Sequence, residues 1–437
     1  MTTFTDEKQI SIQQAFVSFI LMFEKTSEEE EIQIIIQYWI RILEIKLGWI
    51  NDFDKLVVKY VSFCFCFYDK YFFAAATVFM LDMFRSSSKL LNTFDGHTSS
   101  VWSIDYSTFD NSYLLCSGSH DKTVRVWDVE TGKQIQLFNG HLDHVYCVRF
   151  SPYHYHNNRH NVICSSSWDK TIRFWDNKDN QQLKVFRGHT NGVYGIEFSP
   201  FNGGRYLCSG SIDYTIRLWD VEASKSLYVF KGHEDGVWCM DISPLQSNNN
   251  NNSNSIGVIG GNGYTICSGS WDNTIRIWDI ETTKQLIIFR GHDDWIRSVK
   301  YGSNELVISG GANTILSGSN DKSARLWDIR SGQQTQIFNG HAGYVNVVEY
   351  SPFMVNNIEV GGSSNVICSG SSDNTIRFWD IRSNKNELYM IKGEEGDSGI
   401  ICLKFLQLKK SCKSINDRGC DINLCYGSSK CQIRVWG

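Results

Sequence analysis

The stretch that decides the fold is GSWDNTIRIWD, residues 269–279, which contains two Trp-Asp pairs seven residues apart. The same pattern occurs six times, from CSGSHDKTVRVWD at residues 116–128 to CSGSSDNTIRFWD at residues 368–380. A degenerate seventh copy, CYGSSKCQIRVWG, occupies residues 425–437. A sequence unit that recurs in this way predicts a repeat protein, in which each unit buries its apolar surface against its neighbours.

The spacing inside the copies divides each one into fixed and variable parts. Each intact copy follows a Gly-His pair, and its turn aspartate precedes the last tryptophan by six residues, as Asp272 precedes Trp278. All length variation lies between the histidine and the aspartate. Alternating apolar residues predict four short strands, a to d, with the variable interval as the a–b loop. The d–a and b–c turns then share one face, here called the top face.

These copies resemble the WD-repeat family of β-propellers over residues 90–437. The resemblance implies an all-β fold of seven four-stranded blades. Because the last copy ends after strand c, Leu90–Phe94 is expected to supply its strand d and close the ring. We therefore predict a seven-bladed propeller over residues 86–437 after a helical N-terminal extension over residues 1–85. Within that extension, the capping residue Ser27 and an apolar stripe predict a helix that ends at Gly48.

The resemblance also implies a hydrogen-bonded tetrad in each intact blade, made of the Gly-His histidine, a strand-b serine, the turn aspartate and the strand-c tryptophan. The six tetrads are His97, Ser117, Asp121 and Trp127; His141, Ser165, Asp169 and Trp175; His189, Ser209, Asp213 and Trp219; His233, Ser268, Asp272 and Trp278; His292, Ser317, Asp321 and Trp327; and His341, Ser369, Asp373 and Trp379. Sixfold recurrence favours a structural role over a catalytic Ser-His-Asp site. The seventh copy has Glu394, Tyr426 and Lys430 at these positions, and a Glu394–Lys430 ion pair is expected there.

The resemblance also points to three top-face positions per blade that the repeat does not dictate: the residues three and five after the histidine, and the residue before the turn aspartate. Eight of these eighteen residues are Trp or Tyr, whereas 14% of the chain is aromatic. The candidate partner-binding residues are Trp102, His120, His144, Tyr146, Trp168, Tyr194, Trp238, Trp271, Trp295, Arg297 and Tyr344. Clustered exposed aromatics predict a protein or peptide interface. The alternative is that they only plug the channel.

The predicted function is a non-catalytic scaffold that presents this aromatic top face to a protein or peptide. Acidic residues of the d–a turns favour Lys or Arg in the partner, whereas Arg297 could instead bind a carboxylate. These acidic residues are Asp143, Glu234, Asp235, Asp293 and Asp294. Alternative functions are a G-protein-β-like signalling subunit and a ubiquitin-ligase substrate adaptor. An enzyme carried by the N-terminal extension is disfavoured, because that segment has no His, Asp or Cys constellation.

Composition limits the remaining classes. A net charge of −5 gives no general attraction to nucleic acid, and the apolar run at residues 71–81 is too short to span a bilayer. The extension is expected to form a helical bundle packed on itself, or alternatively to dimerise or dock on the propeller, with membrane association through residues 56–84 left open. Without a secretory signal, the 14 cysteines are expected to be reduced in the cytoplasm, or alternatively in the nucleus.

No cofactor or metal is expected, because two candidate groups lack a zinc-binding spacing. These groups are His154, His156 and His160, and Cys412, Cys420, Cys425 and Cys431.

Overall fold

A computed structural model describes residues 81, 84–86, 88–107, 113–243, 264–302, 314–357, 362–381, 387–407 and 422–437. These residues contain twenty-eight strands in seven four-stranded antiparallel sheets, the blades. The predicted helix ending at Gly48, most of the apolar run at residues 71–81, and Cys412 and Cys420 lie outside the described residues.

Each of the first six blades takes its strands in chain order, and the seventh combines both ends of the described chain. The strands are β1 (Leu90–Phe94); β2 (Val101–Ser107), β3 (Leu114–Ser119), β4 (Thr123–Asp128) and β5 (Gln134–Asn139) in blade 1; β6 (Val145–Phe150), β7 (Val162–Ser167), β8 (Thr171–Asp176) and β9 (Gln181–Arg187) in blade 2; β10 (Val193–Phe198), β11 (Tyr206–Ser211), β12 (Thr215–Asp220) and β13 (Lys225–Lys231) in blade 3; β14 (Val237–Ile242), β15 (Thr265–Ser270), β16 (Thr274–Asp279) and β17 (Gln285–Arg290) in blade 4; β18 (Ile296–Tyr301), β19 (Thr314–Ser319), β20 (Ser323–Asp328) and β21 (Gln333–Asn339) in blade 5; β22 (Val345–Asn357), β23 (Gly362–Ser371), β24 (Thr375–Asp380) and β25 (Glu387–Lys392) in blade 6; and β26 (Ile400–Gln407), β27 (Ile422–Ser428) and β28 (Ile433–Trp436) in blade 7. A short helix, α1 (Pro152–Asn158), and a 3₁₀ turn (Asn202–Gly204) lie in a–b loops.

The blades form a closed ring around a central channel. Strand a of each blade contacts strand a of both neighbouring blades, and the series returns from β26 to β2. Strand b is buried along its whole length, because the next blade covers it. The glycine of the Ser-Gly-Ser pattern permits this close approach, since a Cβ at Gly118 would meet Val145 Cγ1 at 2.7 Å. The predicted seven-bladed propeller is confirmed.

The predicted closing strand is also confirmed. Strand β1 pairs antiparallel with β28, with Leu90 opposite Trp436 and Phe94 opposite Ile433. Two backbone hydrogen bonds between Lys89 and Gly437, at 3.3 and 3.2 Å, extend this pairing. Blade 7 therefore has its fourth strand, and β1 pairs with the edge of β28 that would otherwise be exposed.

The propeller core begins before the predicted boundary at residue 86. Leu81 and Phe84 are buried in one apolar cluster with blade 6 and 7 side chains, and the Phe84 ring lies 6.3 Å from that of Phe378. Ser88 Oγ lies 2.7 Å from the hydroxyl oxygen of Tyr389. The repeat pattern starts only at strand d, so its periodicity does not reveal these anchoring contacts.

The bottom face carries the a–b loops and the candidate metal-binding histidines. His154 is buried in α1 with its Nδ1 2.8 Å from Ser151 Oγ, whereas His160 Nδ1 lies 2.8 Å from Asp176 Oδ2. Burial lowers the pKa of His154 to about 4. In the described part of the chain, no three His, Cys, Asp or Glu residues are arranged to hold a metal ion. Within the same residues, no helix has the length and apolarity needed to cross a membrane.

Replacement of Phe84 by alanine in the full-length protein should lower the free energy of unfolding by about 3–5 kcal/mol, because a fully buried ring is removed from the core. The matched control is Leu91→Ala, since Leu91 on β1 is 47% exposed and its loss should cost less than about 0.5 kcal/mol. Chemical denaturation of the two variants and the wild type measures the difference. Equal stability of the Phe84 and Leu91 variants would contradict the placement of Phe84 in the core.

Candidate functional site

The tetrads link the d–a and b–c turns at the top of each intact blade by hydrogen bonds. In blade 4, His233 Nδ1 lies 2.7 Å from Asp272 Oδ2, and its Nε2 lies 2.7 Å from Ser268 Oγ. The indole N–H of Trp278 donates to the same Ser268 oxygen at 2.9 Å. The other five blades repeat these three hydrogen bonds at 2.7 to 3.0 Å.

The proton positions in a tetrad follow from its donors and acceptors. The indole N–H can only donate, so Ser268 Oγ accepts from Trp278 and its own hydroxyl proton goes to His233 Nε2. The histidine is then neutral and donates its Nδ1–H to an ionised Asp272. Burial lowers the pKa of His233, which agrees with the neutral ring. Burial alone would raise the pKa of Asp272, but hydrogen bonds from His233 and Thr274 hold it well below its usual range.

This geometry makes the tetrad a structural device rather than a nucleophile with its base. Ser268 is fully buried inside strand b, and its oxygen is already shared by two partners. Asp272 also accepts hydrogen bonds from the backbone N–H groups of Thr274 and Glu234. The carboxylate therefore ties the d–a turn to the b–c turn and fixes the top-face backbone.

Blade 7 replaces the tetrad with a different buried set, and the expected Glu394–Lys430 ion pair is not among the ion pairs of the described residues. Asp397 is fully buried and takes the place of the expected pair. The Tyr426 hydroxyl donates to Asp397 Oδ2 at 2.7 Å, and Arg434 Nε lies 2.9 Å from both carboxylate oxygens. The sequence expectation missed Asp397. The residue at the position of the tetrad histidine is Glu394, whereas the buried acid lies three residues later in the same d–a turn.

The candidate partner-binding positions are set by a backbone contact that recurs in every blade. The residue before the turn aspartate donates its backbone N–H to the carbonyl oxygen of the residue three after the histidine. Examples are Trp168 to His144, Trp271 to Gly236 and Asn320 to Trp295, each at 2.9 Å. Side chains at these two positions are therefore held at the rim of the channel, whichever residues the sequence places there.

Ten of the eleven candidate residues form one continuous group, here called the mouth cluster. Its members are Trp102, His120, His144, Tyr146, Trp168, Tyr194, Trp238, Trp271, Trp295 and Arg297. Ring centroids lie 4.0 Å apart for Tyr194 and Trp238, and 5.6 Å apart for Trp102 and Trp238. The latter pair joins blade 1 to blade 4, so Trp238 reaches across the channel mouth.

Contacts between blades continue the cluster along the rim. The rings of Trp271 in blade 4 and Trp295 in blade 5 stack at 4.5 Å with an interplanar angle of 18°. In blade 3, a Cβ at Gly192 would lie 3.1 Å from two ring atoms of Trp168, so only glycine leaves this space for the indole. The aromatic residue of one blade thus packs on the turn of the next.

Exposure is graded across the mouth cluster. Tyr194 is only 4% exposed, whereas Trp295 is 38% exposed and the eleventh candidate, Tyr344, is 45% exposed. The rings of blades 1 to 4 pack against one another in the mouth, and Trp295 and Tyr344 add exposed aromatic surface on blades 5 and 6. The His144 side chain in blade 2 is also 41% exposed.

Arg297 occupies the position that holds Trp or Tyr in blades 1 to 4. Its guanidinium carbon lies 4.6 Å from the ring centre of Trp238 and 6.0 Å from that of Trp295. Arg297 Nε donates to Asn320 Oδ1 at 2.7 Å. Burial lowers the pKa of this guanidinium, and Arg297 is the cationic member of an otherwise aromatic mouth.

Below the mouth, a cavity of about 120 Å³ is lined by strand a of all seven blades. Each blade also has one charged residue on strand a, three residues after the position that Trp102, Tyr146, Tyr194, Trp238 and Arg297 occupy in blades 1 to 5. Together these seven charged residues are here called the channel ring. Its members are Asp105, Arg149, Glu197, Asp241, Lys300, Glu349 and Lys404. Sequence reasoning missed this ring, although in six blades its residue follows the tetrad histidine by eight.

Ion pairs connect most of the channel ring. Arg149 lies 3.0 Å from Glu197, Lys300 lies 3.5 Å from Glu349, and Lys404 lies 3.8 Å from both Glu349 and Asp105. Asp241 instead accepts backbone N–H groups from Tyr301 and Ile242, and burial raises its pKa to about 6. The channel ring therefore lines the channel interior mainly with paired charges.

Comparison with known proteins agrees with this geometry. A family model described as "WD domain, G-beta repeat" matches residues 88–128, 132–176, 180–220, 224–279, 283–328 and 332–380. The chain is 35% identical over 91 residues to Cell division control protein 4 of Saccharomyces cerevisiae, which covers 21% of this chain and 11% of that protein. It is 44% identical over 64 residues to WD repeat and SOCS box-containing protein 1 of Danio rerio, a match that covers 14% of this chain and 15% of that protein. It is 38% identical over 63 residues to the Peroxisomal targeting signal 2 receptor of Mus musculus, a match that covers 14% of this chain and 20% of that protein. The matched segments thus span a fifth or less of these relatives.

The tetrads should make stability fall as the pH drops below about 6.5. Burial lowers the pKa of five tetrad histidines, so the unfolded chain binds protons near pH 6.5 that the folded chain does not. Each such histidine should contribute up to about 1.4 kcal/mol of stability lost per pH unit. The aspartates, whose pKa values are lowered below about 3.9, keep their contribution across this range.

Calorimetric Tm values at pH 7.5, 6.5 and 5.5 measure this dependence. The control is His233→Asn, which should have a lower Tm at pH 7.5 but a flatter pH profile, because one titrating group is missing. A wild-type Tm that does not change between pH 7.5 and 5.5 would refute the neutral histidine.

Proposed function

Because the chain belongs to the WD-repeat family, we propose that it is a non-catalytic scaffold whose top face docks a protein or peptide partner. The observation that carries this proposal is the mouth cluster, which runs without a break from Trp102 to the exposed Trp295. The residues of this cluster stand beside the tetrads without belonging to them.

The chemistry of the cluster supports a partner segment rather than a plug alone. Trp295 and Tyr344 are large, amphipathic and more than a third exposed on adjacent blades. Side chains of this kind supply most of the binding energy of protein interfaces, especially when packed neighbours hold them rigid. Trp271 supports Trp295 from below, so the exposed indole is already oriented before a partner arrives.

The charges around the cluster favour a partner with Lys or Arg at its flanks. Asp293 has a side chain that is 90% exposed, and Glu234 is also exposed in the neighbouring d–a turn. Asp143 lies in a d–a turn on the far side of the mouth, in blade 2. Basic groups at these three turns would gain from the negative charge at little desolvation cost.

The non-catalytic part of the proposal rests on the six buried tetrads, whose serines are fully engaged. A signalling subunit or a ubiquitin-ligase adaptor would use the same docking face, and the short matches to relatives do not select between them. We propose the cytoplasm as the location, with the nucleus as the alternative. The ten free cysteine thiols among the described residues are consistent with either.

Alanine at Trp295 should weaken partner binding by about 2 kcal/mol or more with little change in Tm, because the indole is exposed and outside the tetrads. Trp271→Ala should weaken binding as well, because it removes the support of Trp295. The contrast is Trp278→Ala, which should cost about 3–5 kcal/mol of stability as a core truncation. Trp238 is not suitable for this test, since it packs against Trp102, Tyr194 and Arg297 and holds the cluster together.

Thermal melting and quantitative affinity purification of each variant beside the wild type measure the two effects. Leu286→Ala is the matched surface control, because Leu286 is 53% exposed on outer strand β17. If Trp295→Ala recovers the same partners in the same amounts as Leu286→Ala, the top face is not the docking site.

A further inference from the structure

The guanidinium of Arg297 is held in place by neutral partners. Trp238 and Trp295 lie against it, and Asn320 Oδ1 accepts the hydrogen bond from its Nε. Within the described residues, Arg297 is not a member of any ion pair, in contrast to Arg149 and the lysines of the channel ring. A partly buried cation without a carboxylate at ion-pair distance among the described residues therefore lies in the mouth, between Trp238 and Trp295.

Polar ring atoms of the mouth cluster are also left unpaired. The indole Nε1 atoms of Trp102 and Trp271 and the imidazole Nε2 of His120 are buried and have no hydrogen-bond partner among the described residues. Because all three atoms are buried, the partly exposed guanidinium of Arg297 is the group that an incoming segment can contact.

We propose that Arg297 binds the carboxylate of an Asp or Glu side chain in the docked partner segment. This inference rests on the proposed docking function. With Nε engaged by Asn320, the two terminal nitrogens of Arg297 remain to meet a carboxylate side by side, the geometry that guanidinium groups favour. The flanking rings screen this ion pair from water, which strengthens it.

The surrounding charges select a carboxylate over a phosphate. One guanidinium matches one negative charge, whereas the acidic d–a turns around it would oppose the second charge of a phosphate. These turns lie on both sides of the mouth, at Asp143 in blade 2 and at Asp293 and Asp294 in blade 5. A segment that meets both must cross the mouth, so its carboxylate comes from an internal Asp or Glu and not from a chain end.

The test uses a random peptide library displayed on phage and panned against the immobilised full-length protein. Recovered sequences should share one Asp or Glu, with Lys or Arg on either side. Fluorescence anisotropy of a labelled synthetic peptide should then show affinity at least thirtyfold weaker for Arg297→Gln, since one half of a partly buried charge pair is removed. Amidation of the acidic side chain, by Asp→Asn or Glu→Gln in the peptide, should weaken wild-type binding similarly. The two changes together should add little to either one, as in a double-mutant cycle between contacting groups.

Three further variants give the experiment its controls. Arg187→Gln removes an equal charge from the exposed end of β9 and should leave affinity within about twofold of wild type. Arg297→Lys keeps the charge but loses the paired donors, and should fall between wild type and Arg297→Gln. Thermal melting should show that Arg297→Gln is folded.

Other outcomes would contradict either the carboxylate inference or the proposed docking function. Peptides without an acidic residue, bound equally by wild type and Arg297→Gln, would overturn the carboxylate inference and leave the docking function standing. Tighter binding of a peptide with phosphoserine at the acidic position, or of one that ends in a free carboxylate there, would also overturn it. If Trp295→Ala weakens no recovered peptide, the proposed docking function itself fails.

Discussion

The hydrogen bond between a neutral histidine and an ionised aspartate is the constraint on which the top of each intact blade depends. It buries a carboxylate that would otherwise be costly to desolvate, and its remaining acceptor sites fix two turns at once. Because this bond holds the backbone of both turns, the side chain before the turn aspartate is not part of the tetrad. Trp271 stands directly before Asp272 and is free to vary, whereas Trp278 six residues later cannot.

This separation explains how one repeat supports both a rigid ring and a specific surface. In blades 1 to 4 the position five residues after the histidine holds an aromatic ring in the mouth, and in blade 5 it holds Arg297, beside Trp295. The mouth cluster therefore combines buried rings, the guanidinium of Arg297 packed on one of those rings, and an exposed indole at Trp295. Rigidity at such a surface limits the side-chain entropy lost on binding.

The sequence predicted the blades, their order, the closing strand β1 and the residues that meet at the mouth, because fixed spacing identifies the repeats and the family resemblance implies the ring and its top-face positions. Asp397 escaped prediction because burial, and not position in the repeat, selects the acid that Tyr426 and Arg434 surround. Phe84 lies ahead of the first copy, where no period applies. The contact between Trp102 and Trp238 joins blades 1 and 4 across the axis, and no linear spacing encodes it.

The seam in blade 7 also has a mechanical character. Lys89 and Gly437 lie side by side at the same end of the antiparallel pair β1 and β28. Tension applied between these two residues would load the hydrogen bonds one after another, as in peeling, instead of all together, as in shear. The blade without a tetrad is thus also the blade that yields first under load. Pulling on both ends would open the ring at this seam while the six tetrad blades keep their internal bonds.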